Sequence, residues 1–323
     1  MNRFKTRLGR LLTAMSLLVA AHAQAFPDRP VTLVVPGTPG GLTDTLARLI
    51  APKFAEAWGQ PVVVENRPGA GALIGTQYAM RAKPDGHTLL MGSTDVLTLP
   101  LLNRNIAIDT LNGLQPIGRI ASMPLLMLGS SRVAARTLPE LVEAMRKAPG
   151  RYTYASNGNA SILQLYAEMY SHEVGAKLLH VPYRGAVEAT QALASGEVDF
   201  LIQPATGNVL GQIAAGRATP YAVLSAERLA ALPDLPTISE LGWPRLTTEL
   251  WYGLFAPANV PRAIVEQINS DLRALIRSDD VGKRLAAYGL SPRPMGAAEF
   301  SSFYLQEHRQ WEKVIRDAGI QAN

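Results

Sequence analysis

Short β-branched apolar runs alternate along the chain with longer stretches in which apolar residues recur at helical spacing. Val31-Thr-Leu-Val-Val35 ends at Pro36-Gly37 and reads as a strand. Leu46, Leu49, Ile50 and Phe54 then fall on one helical face, and Pro52 is expected to kink or split that helix. Gln60-Pro-Val-Val-Val64 is a second strand, closed by Glu65-Asn-Arg-Pro-Gly69. Ala72 to Ala82 reads as a helix, Lys83-Pro-Asp-Gly86 as a turn and Thr88-Leu-Leu-Met91 as a third strand. Strand, helix and strand at this rhythm predict a mostly parallel sheet flanked by helices.

Leu125-Leu-Met-Leu128 opens a second series. Thr137-Leu-Pro-Glu140 has the T-x-x-E spacing of a capping box and starts a helix through Met145. Arg151-Tyr-Thr-Tyr154 is a strand and Ser161 to Ser171 a helix. Leu178-Leu-His-Val181 and Val198-Asp-Phe-Leu-Ile202 are strands around a helix that begins near Val187. Tyr221-Ala-Val-Leu224 and the buried-looking Trp251-Tyr-Gly-Leu-Phe255 complete the strands, and the tail from Asn259 is mainly two helices. The whole describes an α/β protein of two lobes, which suits 323 residues. Lobe 1 comprises 26–121 and 248–323, and lobe 2 comprises 122–247.

The first 25 residues stand apart. Arg3, Lys5, Arg7 and Arg10 precede the apolar run Leu11 to Ala21, which is followed by Ala21-His22-Ala23 and Ala23-Gln24-Ala25. Basic start, short apolar run and A-x-A site are the marks of a secretory signal peptide, here expected to be cleaved after Ala25. The run falls short of the ~20 residues that span a bilayer. Without this segment the net charge drops from +5 to about +1, with 27 basic against 26 acidic residues. The basic balance therefore belongs to the leader, and no nucleic-acid surface is expected. The sequence has no cysteine, so neither a disulfide nor an acylated anchor is expected, and the mature chain is read as a soluble periplasmic monomer.

Motifs for chemistry are missing. Gly69-Ala-Gly71 with Gly75 is one residue too long for a dinucleotide fingerprint, and no P-loop, H-E-x-x-H or G-x-S-x-G occurs. The histidines at 87, 172, 180 and 308 lack metal-ligand spacing. No cofactor, metal or catalytic residue is expected. A hydrolase built on Ser93 or Ser156 would have to assemble its histidine and carboxylate from distant segments, and stands only as an alternative.

Pro36-Gly-Thr-Pro-Gly-Gly-Leu-Thr-Asp44 resembles the P-x-x-P-G-G-x-x-D loop of the tripartite tricarboxylate transporter receptors, the Bug family. Glu65-Asn-Arg-Pro-Gly-Ala-Gly71, Pro84-Asp-Gly86 with Thr88-Leu-Leu90, and Tyr154-Ala-Ser156 with Gly158 and Ser161 are similar to further family segments. So are His180-Val-Pro-Tyr-Arg-Gly185, Leu235-Pro-Thr237 and Trp251-Tyr-Gly253, so that the resemblance runs in order along the mature chain. Ala160, Gln164, Arg184 and Gln203 stand where the family usually has glycine, histidine, lysine and aspartate. The resemblance implies a two-lobed periplasmic binding protein fold, type II-like, with a small organic carboxylate in the interlobe cleft. It also implies a two-subunit membrane permease as partner; a sensor signalling to a membrane kinase is the alternative role.

The residues give the binding mode a physical basis. The loop from Pro36 to Thr43 joins a strand end to a helix start, and its glycines let N–H groups near Gly40 and Gly41 converge on an anion. Asp44 reads as a first-turn helix residue rather than a ligand contact. Pro39, Gly40, Gly41, Thr43, Ser93 and Thr94 are the ligand-binding candidates of lobe 1. Ser156, Asn157, Asn159, Ser161, Tyr183, Arg184 and Gln203 are those of lobe 2; Arg184 reads equally as a partner for a distal carboxylate or as an exposed surface arginine.

Overall fold

A computed structural model describes residues 26–102, 108–158 and 161–317. The expected leader and Asn159 lie outside the described residues.

β1 (Val31–Val35) pairs in parallel with β2 (Val62–Asn66) on one side and β3 (Thr88–Ser93) on the other. α1 (Leu42–Trp58) connects β1 to β2 and buries Leu46, Leu49, Ile50 and Phe54, the face its spacing predicts. Pro52 neither splits nor ends this helix. It sits on the exposed face, so the carbonyl of Arg48, which loses its helical donor, is left to water rather than to the core. Gly59 ends the helix at φ 65, where its N–H bonds to the Ala55 carbonyl. α2 (Leu73–Met80) returns the chain to β3, and α3 (Thr94–Leu102) follows β3 without a gap.

After the short α4 (Thr110–Gly113), β4 (Leu114–Ser130) runs for 17 residues, nearly all buried. Leu114 to Pro124 pair with β9 (Glu249–Pro257), whereas Leu125 to Gly129 pair with β7 (Phe200–Pro204). One strand thus serves two sheets. The second sheet also holds β5 (Thr153–Ser156), β6 (Leu179–Pro182) and β8 (Ala218–Val223). Between these strands run α5 (Leu138–Lys147), α6 (Ile162–Glu173), α7 (Ala186–Ser195) and α8 (Gly207–Ala214).

Each sheet keeps a parallel set of three strands, β2-β1-β3 and β6-β5-β7. The sheets are nevertheless mixed, because β9 runs antiparallel to both β3 and β4, and β4 runs antiparallel to β7 and β8. Chain crossing between sheets produces these antiparallel pairings. The tail forms three helices where two were expected: α9 (Arg262–Arg277), α10 (Asp279–Ala287) and α11 (Ala297–Asp317). A two-residue strand, β10 (Ser291–Pro292), pairs with β4 on the way.

α11 ties the halves together. Its Phe300 and Tyr304 pack edge-on against Trp251 of β9, and its Trp311 meets Tyr166 of α6 at 4.8 Å between ring centres. Such aromatic pairs add about 0.5–1.5 kcal/mol each beyond area burial. Buried Arg119 of β4 pairs with the half-buried Glu249 of β9 beside this cluster, with the guanidinium 4.7 Å above the Phe303 ring.

Candidate functional site

The carboxyl ends of β1, β3, β5 and β7 deliver the chain to one cleft of about 750 Å³. Open α/β sheets present ligand sites beyond these strand ends. From the first sheet come Pro36, Gly37, Leu42 and Thr43, then Ala70 to Ala72, then Ser93, Asp95, Thr98 and Leu99. Asn157, Ser161 to Leu163, Pro204 and Thr206 line it from the second. The crossing strands add Met123, Leu250 and Tyr252.

The first loop is organised by Asp44. Its buried carboxylate accepts from Arg48 Nε, the Gly40 N–H and Asn66 Nδ2, each at 2.9 Å. The Arg48 hydrogen bond chiefly, with those of Gly40 and Asn66, lowers its pKa from 3.8 to about 2 against the opposing effect of burial. Asn66 also donates to the Gly37 carbonyl at 3.2 Å. Asp44 is therefore the residue that holds the loop on its helix.

This changes which donors remain. Gly40 gives its N–H to Asp44, and Gly41 gives its own to the Thr38 carbonyl at 3.2 Å. Leu42 and Thr43 follow in the first turn of α1, where N–H groups have no intrahelical acceptor, and both line the cleft.

The other loops repeat this construction. Ser161 caps α6 by accepting from the Gln164 N–H at 3.2 Å, leaving the N–H groups of Ile162 and Leu163 at the cleft. Thr206 caps α8 through the Val209 N–H at 3.5 Å. Ala70, Gly71 and Ala72 all adopt positive φ (46, 62 and 79) just ahead of α2. Small side chains suit this turn, since bulk is poorly tolerated there. The N-termini of α1, α2, α6 and α8 thus abut the cleft, each adding partial positive charge. Among the described residues no lysine, arginine or histidine lines it.

The remaining candidates sit elsewhere. Pro39 is exposed in the first loop and outside the lining. Thr94 is buried, and its Oγ1 accepts from the Trp251 N–H at 3.1 Å. Ser156 is buried too, bonded to the Gly158 carbonyl at 2.8 Å and to His180 Nε2 at 2.6 Å. Tyr183 donates to Glu197 at 2.8 Å, and exposed Arg184 gives its N–H to Glu188; neither lines the cleft. Gln203 lies behind it and donates to Asn157 Oδ1 at 2.7 Å, an arrangement that leaves the Asn157 amide N–H group for the cleft. Thr43, Ser93, Asn157 and Ser161 are the candidates that meet at the cleft surface.

Asp95, Thr98, Thr206, Tyr252 and the Ala70–Ala72 turn were not expected there. Tyr252 and the turn lie inside quoted motifs, and Thr206 follows a strand-to-helix boundary that its own capping role could have signalled. Asp95 comes one residue after Thr94, where strand passes directly into helix. It is exposed on the cleft surface, where the Ser93 hydroxyl donates to it at 3.1 Å, and partial desolvation in the cleft raises its carboxyl above the usual range against that hydrogen bond. Burial likewise raises the Tyr252 phenol, with the Asp95 charge adding to the effect.

Two α/β halves that share crossing strands and enclose such a cleft define a periplasmic solute-binding protein, which holds its solute without transforming it. The chain belongs to the tripartite tricarboxylate transporter family receptors, whose profile matches residues 46–320. It is 31% identical over 323 residues to protein BugT of Bordetella pertussis, covering 99% of this chain and 98% of that one. A Rhodopseudomonas palustris protein solved with adipate is 32% identical, with a TM-score of 0.76, over 92% of this chain and 99% of its own. MatC of the same organism, solved with bound malate, is 31% identical with a TM-score of 0.74, over 90% of this chain and all of its own.

Proposed function

We propose that this receptor captures a small organic carboxylate between lobe 1 (26–121 and 248–323) and lobe 2 (122–247) for delivery to a two-subunit membrane permease. Residues 1–25 would direct its export and be removed. The observation that carries the reading is the meeting of helix N-termini from both halves at one cleft that, among the described residues, no basic side chain lines. Unpaired N–H groups of Leu42, Thr43, Ile162 and Leu163, with the hydroxyls of Thr43 and Thr206 and the amide of Asn157, form a donor set suited to a carboxylate. Neither lobe alone satisfies the ligand, so occupancy favours the closed form. Adipate and malate in related structures support the ligand class.

The test is mass spectrometry of the protein purified from periplasm, followed by calorimetry of the recovered ligand. An unchanged carboxylate bound one to one is expected, with a mature N-terminus at Phe26. A ligand without a carboxylate, or one altered on incubation, would sink the proposal.

A further inference from the structure

Asn157 and Gly158 form one of two asparagine–glycine pairs in the chain, the other being Asn112 and Gly113. At such a pair the glycine nitrogen can attack the asparagine side-chain amide, because no side chain hinders it and the backbone turns freely. The two pairs differ in their surroundings. Asn112 lies inside α4, where the Gly113 N–H donates to the Asp109 carbonyl at 2.9 Å and Asn112 Nδ2 to the Asp109 carboxylate at 2.7 Å. Asn157 lies beyond the end of β5, in neither helix nor strand, and lines the cleft.

The polar groups around Asn157 are placed as that attack requires. The Gly158 N–H donates to Ser156 Oγ at 3.2 Å, and this oxygen lies 2.6 Å from His180 Nε2. By turning its own proton from the Gly158 carbonyl, 2.8 Å away, to the ring, the hydroxyl can take up the proton of the N–H. Tyr154 stacks on the imidazole at 4.9 Å between ring centres and holds it in place. On the other side of the bond to be made, Asn157 Oδ1 accepts from Gln203 Nε2 at 2.7 Å. Gln203 is 1% exposed, so water does not compete for that donor, which is aimed where negative charge grows during attack.

We propose that Asn157 is a self-modification site, assisted by Ser156 and Gln203, and that the charge it acquires ends carboxylate binding. The Gly158 nitrogen bonds to Asn157 Cγ as its proton passes to Ser156 and through it to His180. The Cγ–Nδ2 bond breaks, the leaving nitrogen takes that proton and ammonia departs, leaving a five-membered succinimide. One water then opens the ring at either carbonyl to give aspartate or isoaspartate. Asparagine and water thus become a carboxylic acid and ammonia, and nothing else is consumed. The cleft then presents a carboxylate where it had presented an amide N–H, and like charge repels the ligand. An occupied receptor is shielded, because the bound carboxylate engages Nδ2 and excludes water.

The effect on binding rests on the carboxylate reading above, whereas the chemistry does not, and the experiment separates them. Receptor freed of ligand by unfolding and refolding is held at physiological temperature in mildly alkaline buffer. Peptide mapping by mass spectrometry follows the gain of one mass unit at each asparagine. Asn157 is expected to convert about tenfold or more faster than Asn112, with isoaspartate among the products. Gln203→Met and Ser156→Ala should each slow conversion about tenfold or more, through loss of the oxyanion donor or of the proton acceptor. Melting curves report whether the variants fold, and the comparison with Asn112 needs neither of them. Conversion at Asn157 no faster than at Asn112 would overturn the proposal, as would rates unchanged or raised in both folded variants.

Binding is read by calorimetry with adipate, malate and benzoate on fresh protein, aged protein and Asn157→Asp. The tightest binder of the three should lose about 30-fold or more in affinity in the aged protein and in the variant, and its presence should slow conversion. Conversion without loss of affinity would overturn the effect on binding and take Asn157 out of the donor set, while the chemistry stood.

Discussion

The Gly40 N–H donates to Oδ2 of Asp44 at 2.9 Å, fastening the glycine loop to the helix that it introduces. Because the folded-state carboxyl titrates at about 2 rather than 3.8, its stabilising contribution is fully present above the ordinary value. It is lost as pH falls from about 4 through 2. Asp44→Ala should destabilise the protein by about 3 kcal/mol at pH 7, through three broken hydrogen bonds to a charged group. Asp44→Asn should narrow the gap in stability from the parent as pH drops through that window. Urea unfolding at pH 7, 4 and 2.5 checks both.

Gly75 and Pro36 approach closely beneath the same loops. A Cβ at Gly75 would lie 2.7 Å from Pro36 Cα and 2.8 Å from the Arg67 carbonyl, and neither backbone atom can yield cheaply. Gly75→Ala should push α2 away from β1, at about 2 kcal/mol of stability. It should also weaken ligand binding, because the Ala70–Ala72 turn moves with α2. Calorimetry of the recovered ligand together with urea unfolding would show the two losses in one variant.

Two threonines should separate binding from folding. Thr94→Val leaves the Trp251 N–H without its partner inside the core, at about 1–3 kcal/mol of stability with affinity unchanged. Thr43→Val should weaken binding by about tenfold, one hydrogen bond to a charged group, with stability unchanged. Reversed outcomes in paired melting and titration experiments would contradict these assignments.

Arg184 is exposed and absent from the cleft surface, although a distal carboxylate would have suited it. Arg184→Met should change ligand affinity by less than about threefold, the small effect expected of a surface charge. A large loss on titration would mean that closure carries Arg184 to the ligand.

Much of this protein could be read from its residues one segment at a time. The β-branched runs at Val31–Val35 and Thr88–Met91, the caps at Thr137 and Ser161 and the helical face of Leu46, Leu49, Ile50 and Phe54 are local signals, and local physics answers them. Ordered motifs likewise pointed to the receptor family, which the match over residues 46–320 establishes. What the tertiary structure decided is non-local. That β4 extends back to Leu114 and serves two sheets depends on pairing with β9, more than a hundred residues away. Which donors stay free follows from Asp44 taking the Gly40 N–H, and Thr94 turns inward because Trp251 needs an acceptor. Asp95 joins the cleft only because β3 ends there, opposite α6 and α8, and no spacing in one segment encodes what the facing segment lacks.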